Sequence, residues 1–505
     1  MSDQFILLPA YGLKAFQSDR SAFQALTGVG HARSTQPPVP LGFGIPGLSP
    51  TISDVRVIDS IHEDGPKLIE ADMGQVEAIQ STLGLRVRPL ITYRVALPSP
   101  FKPDPIPAAA GSPPTIVKVV SAMTALPIPN ALVTAFTDFQ AHLGAEASTD
   151  ANGEVRLNLG WAALQVERLF VQPPMAGFWG ASASNILLPP MHLVQLMPVD
   201  MTVPDVVRHF YAPANANDGL GVRVAVVDTG IGPHADLIID PVASRNTAKG
   251  EPFNLWQDNG TGHGTHVAGI IASRGAAPGG LPGLAPAVQL RSYRAFRADS
   301  IQTTNYNLMK AIMYAVDDGC HVVNLSVAGE NRPDDTLEQA LDDARDRGTL
   351  VVAAAGNGNR KPVSFPGAYA YASGLSVSAL GRVGTFPAGS FEESHIDSPK
   401  GSADANNFVA RFTNIGNVSL IGPGVGVVST VPGGYGPMSG TSMACPTVTG
   451  FAARLLSADL QQNGATAILN MIADKARALR MIALVSNAAR KMGFGQQYEG
   501  DGLVQ

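Results

Sequence analysis

The stretch Val222-Arg223-Val224-Ala225-Val226-Val227-Asp228-Thr229-Gly230 carries the strongest indication of the fold. Its first six residues are mostly apolar and β-branched, as expected for a strand that is buried on both faces of a sheet. Asp228 follows at the carboxyl end of this strand, and Gly230 permits a turn. Similar apolar runs recur at Val322–Leu325 and Leu350–Ala354.

Helical patterns separate these apolar runs. Residues 306–318 and 336–347 have helical spacing, and in the second segment one stripe holds Leu337, Ala340, Leu341 and Ala344. Strands that alternate with helices predict an α/β domain over 205–505, with a parallel, doubly wound sheet covered on both faces. The carboxyl ends of its strands then share one edge, where we expect the active site.

Length and composition limit the function classes. A chain of 505 residues predicts two or three domains. Its 35 Lys and Arg against 41 Asp and Glu, without a basic cluster, argue against a nucleic-acid partner. The absence of a long apolar run argues against a membrane span. The N-terminus does not resemble a secretory signal, so a cytoplasmic protein is expected and an exported one stays open.

Two proline-rich segments, 97–114 and 173–204, divide the chain into predicted domains at 1–96, 115–172 and 205–505. The middle domain has alternating segments at 131–136 and 154–159, and an Asp-Ala-Asn-Gly turn precedes the second. It is predicted to be a small β-sandwich, and it resembles the carboxypeptidase-regulatory and collagen-binding-B types of repeat. Either a spacing role or ligand binding fits this pattern.

Three motifs on the α/β scaffold carry chemistry. Val226-Val227-Asp228-Thr229-Gly230 supplies an Asp, Gly262-His263-Gly264-Thr265-His266 supplies a His, and Ser439-Gly440-Thr441-Ser442-Met443-Ala444 supplies a Ser at a helix start. A serine hydroxyl needs an adjacent base, and histidine is the natural base near neutral pH. A buried carboxylate fixes the tautomer of that histidine. The helix start at Ser442 offers free N–H groups to a developing oxyanion.

The order Asp228, His263, Ser442 resembles the subtilase family of serine peptidases. The resemblance runs from near Pro204 to the C-terminus. It implies a serine endopeptidase that works through an acyl-enzyme, with Asn357 and the Ser442 N–H as oxyanion donors. It also implies a substrate-binding strand and a primary pocket, and small, uncharged lining residues predict apolar or aromatic P1 side chains. These substrate-binding residues are Ser326, Val327, Ala328, Gly329, Ala354, Gly356 and Ser364.

Thr447 stands where the family has His, and we expect altered packing with retained chemistry. His266 is interpreted as structural, because no zinc motif surrounds it. His234-Ala235-Asp236-Leu237 resembles a calcium-binding segment, but residues 275–281 offer no side-chain oxygen to match it. No metal and no cofactor are therefore predicted.

The chain has only two cysteines, Cys320 and Cys445, which excludes a disulfide framework as a main source of stability. Both are interpreted as small core residues. The segment 381–411 is longer than the family's turn and contains Glu392, Glu393, His395 and Asp397. It is either a solvated surface loop or a substrate-shaping lid or second cation site.

Residues 1–96 resemble the inhibitory propeptide of the family. A strand is predicted at 67–73, a helix at 75–83 and a strand at 85–95, in a small α+β unit. The resemblance implies an intramolecular inhibitor of a zymogen, removed by self-cleavage within 97–114 or 173–204. The alternative is an accessory binding domain. For the whole chain, the alternatives are a maturation protease for one peptide precursor and a catalytically silent binding scaffold.

Overall fold

The computed structural model describes residues 3–9, 11–14, 39–40, 55–83, 85–96, 102–106, 114–160, 164–276, 279–329 and 332–505. The first predicted linker, 97–114, lies outside these ranges except at 102–106 and 114. Residues 277 and 278, within the segment 275–281 that was compared with the family's calcium loop, also lie outside them. Within the described ranges no helix combines the length and apolar character that a membrane span needs.

The N-terminal region forms a five-stranded sheet and one helix. Its elements are β1 (Asp3–Leu8), β2 (Val39–Pro40), β3 (Arg56–Ser60), β4 (Lys67–Ala71), α1 (Met73–Leu83) and β5 (Arg86–Pro89), with strand order β2-β3-β4-β1-β5. A reciprocal cap starts α1: Asp72 Oδ1 accepts from the Gln75 N–H at 2.9 Å, and Gln75 Oε1 accepts from the Asp72 N–H at 2.8 Å.

The segment 85–95, predicted as one strand, is two. After β5 the chain leaves the N-terminal sheet, and β6 (Thr92–Val95) pairs with strands of the C-terminal region. The break follows Pro89, which has no N–H to donate, and the Ile91 N–H bonds to the Asn305 side chain at 3.1 Å. Alternation alone does not distinguish a continuous strand from one that changes sheets.

The middle region is built from two sheets. Its strands are β7 (Asp104–Pro105), β8 (Thr115–Ser121), β9 (Leu132–Asp138), β10 (Leu143–Ser148), β11 (Glu154–Leu157), β12 (Leu164–Gln172), β13 (Ala181–Leu188) and β14 (Met191–Leu196). One sheet has the order β13-β12-β9-β10-β7 and the other β11-β8-β14. The strands extend beyond the predicted 115–172, since β13 and β14 lie in the segment predicted as the second linker.

The C-terminal region begins with a short helix and a long parallel sheet. Its elements up to residue 354 are α2 (Val206–Phe210), β15 (Arg223–Asp228), β16 (Arg245–Asn246), α3 (His263–Ala272), β17 (Gln289–Arg294), β18 (Gln302–Thr304), α4 (Asn305–Asp317), β19 (Val322–Leu325), β20 (Val327–Gly329), α5 (Asp335–Asp346) and β21 (Leu350–Ala354).

The remaining elements are α6 (Gly367–Ser373), β22 (Leu375–Arg382), β23 (Asn407–Val409), β24 (Leu420–Pro423), β25 (Val427–Val431), β26 (Gly434–Met438), α7 (Thr441–Asn463), α8 (Lys475–Asn487), β27 (Ala489–Arg490), α9 (Gln496–Glu499) and β28 (Leu503–Val504). The main sheet has the order β16-β17-β15-β19-β21-β22-β24-β28-β27. Its strands pair in parallel from β16 to β28, and β27 is antiparallel at one end.

Alternate residues of the central strands pack into cores on opposite faces of this sheet. Val224 and Val226 pack with α3 and α7, whereas Ala225 and Val227 pack with α4 and α5. This two-sided burial explains why β15 is apolar along its length. The carboxyl ends of β15, β19 and β21 consequently meet at one edge, where the predicted site residues lie.

Candidate active site

Asp228 and His263 form a buried pair at the end of β15. His263 Nδ1 lies 2.7 Å from Asp228 Oδ1, and both side chains are at most 1% exposed. The same carboxylate oxygen accepts from the Thr229 N–H at 2.7 Å, which fixes its orientation. Gly264 allows this approach, because a Cβ there would lie 2.3 Å from the Gly230 carbonyl oxygen. Among the described residues, His263 Nε2 has no hydrogen-bond partner and remains available as a base.

Ser442 is held at the start of α7 by a reciprocal pair of bonds with Ser326. Ser442 Oγ donates to the Ser326 carbonyl at 3.0 Å, and Ser326 Oγ donates to the Ser442 carbonyl at 2.9 Å. The Ser442 carbonyl is free to accept because the residue four positions later, Pro446, has no N–H. The hydroxyl therefore points to the strand end at Ser326 rather than to His263.

Asn357 follows β21 and faces the start of α7. Its Oδ1 accepts from the Thr441 N–H at 2.9 Å and from the Thr441 hydroxyl at 3.0 Å, which sets the direction of the amide. Its Nδ2 consequently points into the cleft and donates to the carbonyl oxygen of Ala96. The Ser442 N–H donates to the same oxygen at 3.3 Å. Two donors thus converge on one carbonyl beside Ser442.

The carbonyl between these donors belongs to the end of the N-terminal region. β6 lies antiparallel between β18 and β20, and Val327, Ala328 and Gly329 pair with Val95, Arg94 and Tyr93. The Ala96 N–H then donates to the Ser326 carbonyl at 3.1 Å. The chain itself thus fills the cleft as an extended peptide, with the Ala96 carbonyl at the two donors.

The predicted pocket residues lie around Ala96. Ala354 ends β21, and Gly356 has a φ of +97°, where a Cβ would lie 2.7 Å from Ser364 Oγ. Ser364 Oγ accepts from the Asn414 amide at 2.8 Å. Ser326, Val327, Ala328 and Gly329 form the neighbouring wall. The Gly329 N–H donates to the Phe365 carbonyl at 2.7 Å, so the segment that holds Ser364 is adjacent to this wall.

The sequence profile of the subtilase family matches residues 219–495, more than half of the chain. This chain belongs to the subtilase family. It is a subtilisin-like serine endopeptidase with an α/β catalytic region, as its sequence predicts.

Two curated relatives are from Lederbergia lenta. Subtilisin BL is 39% identical over 257 residues, which cover 50% of this chain and 83% of the relative. Subtilisin Savinase is 38% identical with the same coverage. A thermophilic serine proteinase from Bacillus sp. (strain AK1) is 35% identical over 240 residues, covering 47% of this chain and 52% of that protein.

The two cysteines of this subtilase are free and buried. Cys445 lies one turn after Ser442, and burial raises the pKa of its thiol to about 12, so it is a poor nucleophile. Its Sγ donates to the Asn324 side chain and the Val352 carbonyl. Thr447, which replaces the family's His, donates to the Met443 carbonyl at 2.9 Å within its own helix. Among the described residues, Thr447 has no hydrogen bond to Asp228, His263 or Ser442.

His266 Nε2 and the Asp236 carboxylate both have protein hydrogen-bond partners, whereas His266 Nδ1 is buried and has none among the described residues. His266 Nε2 lies 3.0 Å from the Val427 carbonyl and 3.1 Å from that of Gly436, and burial lowers the pKa of this histidine to about 3. The Asp236 carboxylate accepts from the Ala276 N–H at 2.6 Å and from the Tyr435 hydroxyl. Across the described ranges, no cluster of three or more His, Cys, Asp or Glu could hold a metal ion.

The insertion 381–411 is partly buried and packs against the middle region. Its turn of 3₁₀ helix, Phe391–His395, places Phe391 against Phe170 at 5.5 Å between ring centroids. Burial raises the pKa of Glu392 to about 7 and lowers that of His395 to about 3. Both line a cavity of about 500 Å³ beside β6. The alternative of a wholly solvated loop is therefore wrong for Glu392 and His395.

Sequence reasoning missed two contributions to the site. One is Ala96, whose place in the cleft depends on how the N-terminal region docks on the catalytic region. The other is Asp334, the cap residue of α5, which contacts Tyr93 of the bound segment. The Pro-Asp-Asp-Thr sequence signals only a helix start, and no local pattern relates it to a tyrosine 241 positions earlier.

Proposed function

We propose that this subtilase hydrolyses peptide bonds through an acyl-enzyme on Ser442. Ser442 Oγ turns from the Ser326 carbonyl to His263 Nε2, gives it the proton and attacks the scissile carbonyl carbon. Asp228 orients His263 and stabilises the imidazolium. The C–N bond then breaks, and the proton passes to the leaving amine. A water molecule, deprotonated by the same histidine, releases the acid and restores Ser442.

The observation that carries this proposal is the carbonyl of Ala96 between Asn357 Nδ2 and the Ser442 N–H. Preorganised donors at this place stabilise the charge that develops on the oxygen in the transition state. The buried Asp228–His263 pair lies at the same edge of the sheet. One edge of the sheet thus carries a nucleophile, a base with its orienting carboxylate, and an oxyanion site.

A serine-directed phosphonate tests the enzymatic claim. The processed protein should be labelled at Ser442, and the labelled protein should no longer hydrolyse peptides. Labelling without any peptidase activity before treatment, or activity that survives complete labelling of Ser442, would contradict the proposed function.

The N-terminal region is proposed to be an intramolecular inhibitor that the enzyme cuts between Ala96 and Leu97. The Ala96 carbonyl is the one presented to the oxyanion donors, so the bond that follows it is the scissile one. Cleavage after Ala96 would therefore occur at the start of the first predicted linker, 97–114, and not in the second, 173–204. A tethered segment acts at high effective concentration, so modest affinity suffices to keep the cleft filled.

Buried and polar contacts support docking of this inhibitor on α4 and α5. Lys310 Nζ lies 2.6 Å from Asp59 Oδ2, with both side chains under 10% exposed. Arg88 Nε lies 2.8 Å from Asp335 Oδ2, and the Tyr314 hydroxyl donates to the Ile61 carbonyl at 3.2 Å. These contacts lie outside the cleft, so they add affinity without depending on the cleaved end.

Lys310→Met should weaken inhibition by the cleaved N-terminal fragment by about 100-fold or more, because it leaves the buried Asp59 carboxylate without its cation. The measurement is recovery of peptidase activity when the processed protein is diluted. The matched control is Lys310→Met combined with Asp59→Leu, which removes both charges and should return inhibition toward the wild-type level. Equal inhibition in the single variant and the wild type would argue against docking through α4.

The primary pocket should prefer apolar P1 residues, aromatic ones included. Its walls at Ala354, Gly356 and Ser364 are small and uncharged, and a charged side chain would be buried there without a partner. In a peptide library varied at P1, we expect Ala, Leu and Phe to be cut at least about tenfold faster than Asp or Arg. A profile dominated by Arg or Asp would contradict this assignment of the pocket.

A further inference from the structure

The side chain of Tyr93 fills a deep site beside the cleft. Tyr93 lies three residues before Ala96 and is 1% exposed. Its backbone pairs with Thr303 on one side and Gly329 on the other. The ring lies directly on Gly329, where a Cβ would be 2.6 Å from its Cε1. The surrounding cluster is apolar and includes Val327 and Leu337.

One carboxylate oxygen lies at the end of this apolar site. The Tyr93 hydroxyl donates to Asp334 Oδ2 at 3.0 Å, and Asp334 is itself 3% exposed. The other oxygen, Oδ1, accepts from the N–H groups of Thr336 and Leu337 and caps α5. The Asp334 N–H donates to the Tyr369 hydroxyl at 2.6 Å. Asp334 is therefore held in place by its own helix and by α6.

We infer that Asp334 is a specificity residue, which selects tyrosine at the fourth position upstream of the cleaved bond in peptide substrates. This inference rests on the proposed function and on the register that puts Ala96 at the oxyanion donors. The apolar walls accept an aromatic ring, and Oδ2 accepts the phenol hydroxyl. Phenylalanine fills the same walls but leaves a buried carboxylate oxygen without a donor.

Peptides X-Arg-Val-Ala-p-nitroanilide, with Tyr, Phe, Leu or Lys at X, test this selection. They are compared as kcat/KM on the processed protein, with the active sites counted by phosphonate titration. Tyr should exceed Phe by about 10- to 100-fold, in line with a hydrogen bond to a charged, buried acceptor. Lys should be cut more slowly than Tyr, because its ammonium would lose water in an apolar site with one partner.

Asp334→Ser separates recognition from folding. A serine can still cap α5, but it does not replace the acceptor oxygen Oδ2. The kcat/KM for the Tyr peptide should therefore fall, and the Tyr/Phe ratio of kcat/KM should come within about threefold of one. A general structural defect in the variant would lower kcat/KM for both peptides equally and leave their ratio unchanged. Glu338→Ser, at an exposed residue of the same helix, is the matched control and should keep the wild-type ratio.

The outcomes separate this inference from the proposed function. Cleavage of all four peptides with a Tyr/Phe ratio near one overturns the role of Asp334 and leaves the peptidase intact. A wild-type ratio in Asp334→Ser overturns it as well. Failure to cut any peptide overturns the proposed function and this inference together.

Discussion

Ser442→Ala should lower kcat for peptide hydrolysis by about 10⁶-fold while the chain stays folded. The size of the effect follows that of removing the serine from subtilisin, a relative of this chain, where triad members act as a unit. The loss of Oγ removes one donor to the Ser326 carbonyl and little volume. The backbone N–H at residue 442 remains, so the oxyanion site persists. Steady-state kinetics and the unfolding midpoint give the two readouts.

The control for this variant is Cys445→Ala, at a buried residue one turn later in the same helix. It changes the packing of α7 but removes no proposed catalytic group, so kcat should change by less than about tenfold. Near wild-type hydrolysis by Ser442→Ala would contradict the triad assignment. A wild-type protein as slow as Ser442→Ala would instead favour the catalytically silent scaffold.

Asn357→Asp should lower kcat by about 10²- to 10³-fold or more, with a smaller change in KM. Loss of an oxyanion-hole amide in subtilisin has this magnitude, and here a carboxylate would also repel the developing charge. The substitution keeps the oxygen that accepts from the Thr441 N–H and hydroxyl, so the start of α7 stays positioned. The decrease in kcat then measures the contribution of the Nδ2 donor.

Steady-state kinetics at several pH values measure this effect, with Asn357→Leu as the comparison. The leucine variant loses the Nδ2 donor and also the Oδ1 acceptor that holds Thr441. If Asn357→Asp retained kcat within about threefold of wild type, Nδ2 would not be a transition-state donor, and its contact with Ala96 would only hold the bound segment.

The placement of the candidate catalytic residues was predictable, because they lie in short local motifs. Asp228, His263 and Ser442 each end or begin a regular element, and a parallel sheet gathers such ends at one edge. The Asp-His pair at 2.7 Å follows from that topology. Asn357 was assigned through the family resemblance, and the structure has it just after β21 at the same edge.

The N-terminal region was predicted as an inhibitor, but the residue that it places at the oxyanion donors was not predictable, because the register depends on contacts between distant regions. β6 pairs with β18 and β20, more than two hundred residues away, and Lys310 meets Asp59 across the same interface. The buried part of the insertion was missed for a related reason. Glu392 and His395 look like solvated residues by type, and their burial comes from tertiary contacts such as Phe391 on Phe170 and His395 on Phe412.

Intact-mass analysis of the purified chain tests most directly the claim that this subtilase cuts itself after Ala96. Wild-type protein should give an N-terminal fragment ending at Ala96 and a second fragment beginning at Leu97, whereas Ser442→Ala should remain one chain of 505 residues. An uncut, fully active wild-type chain, or a cut that also occurs in Ser442→Ala, would contradict the account.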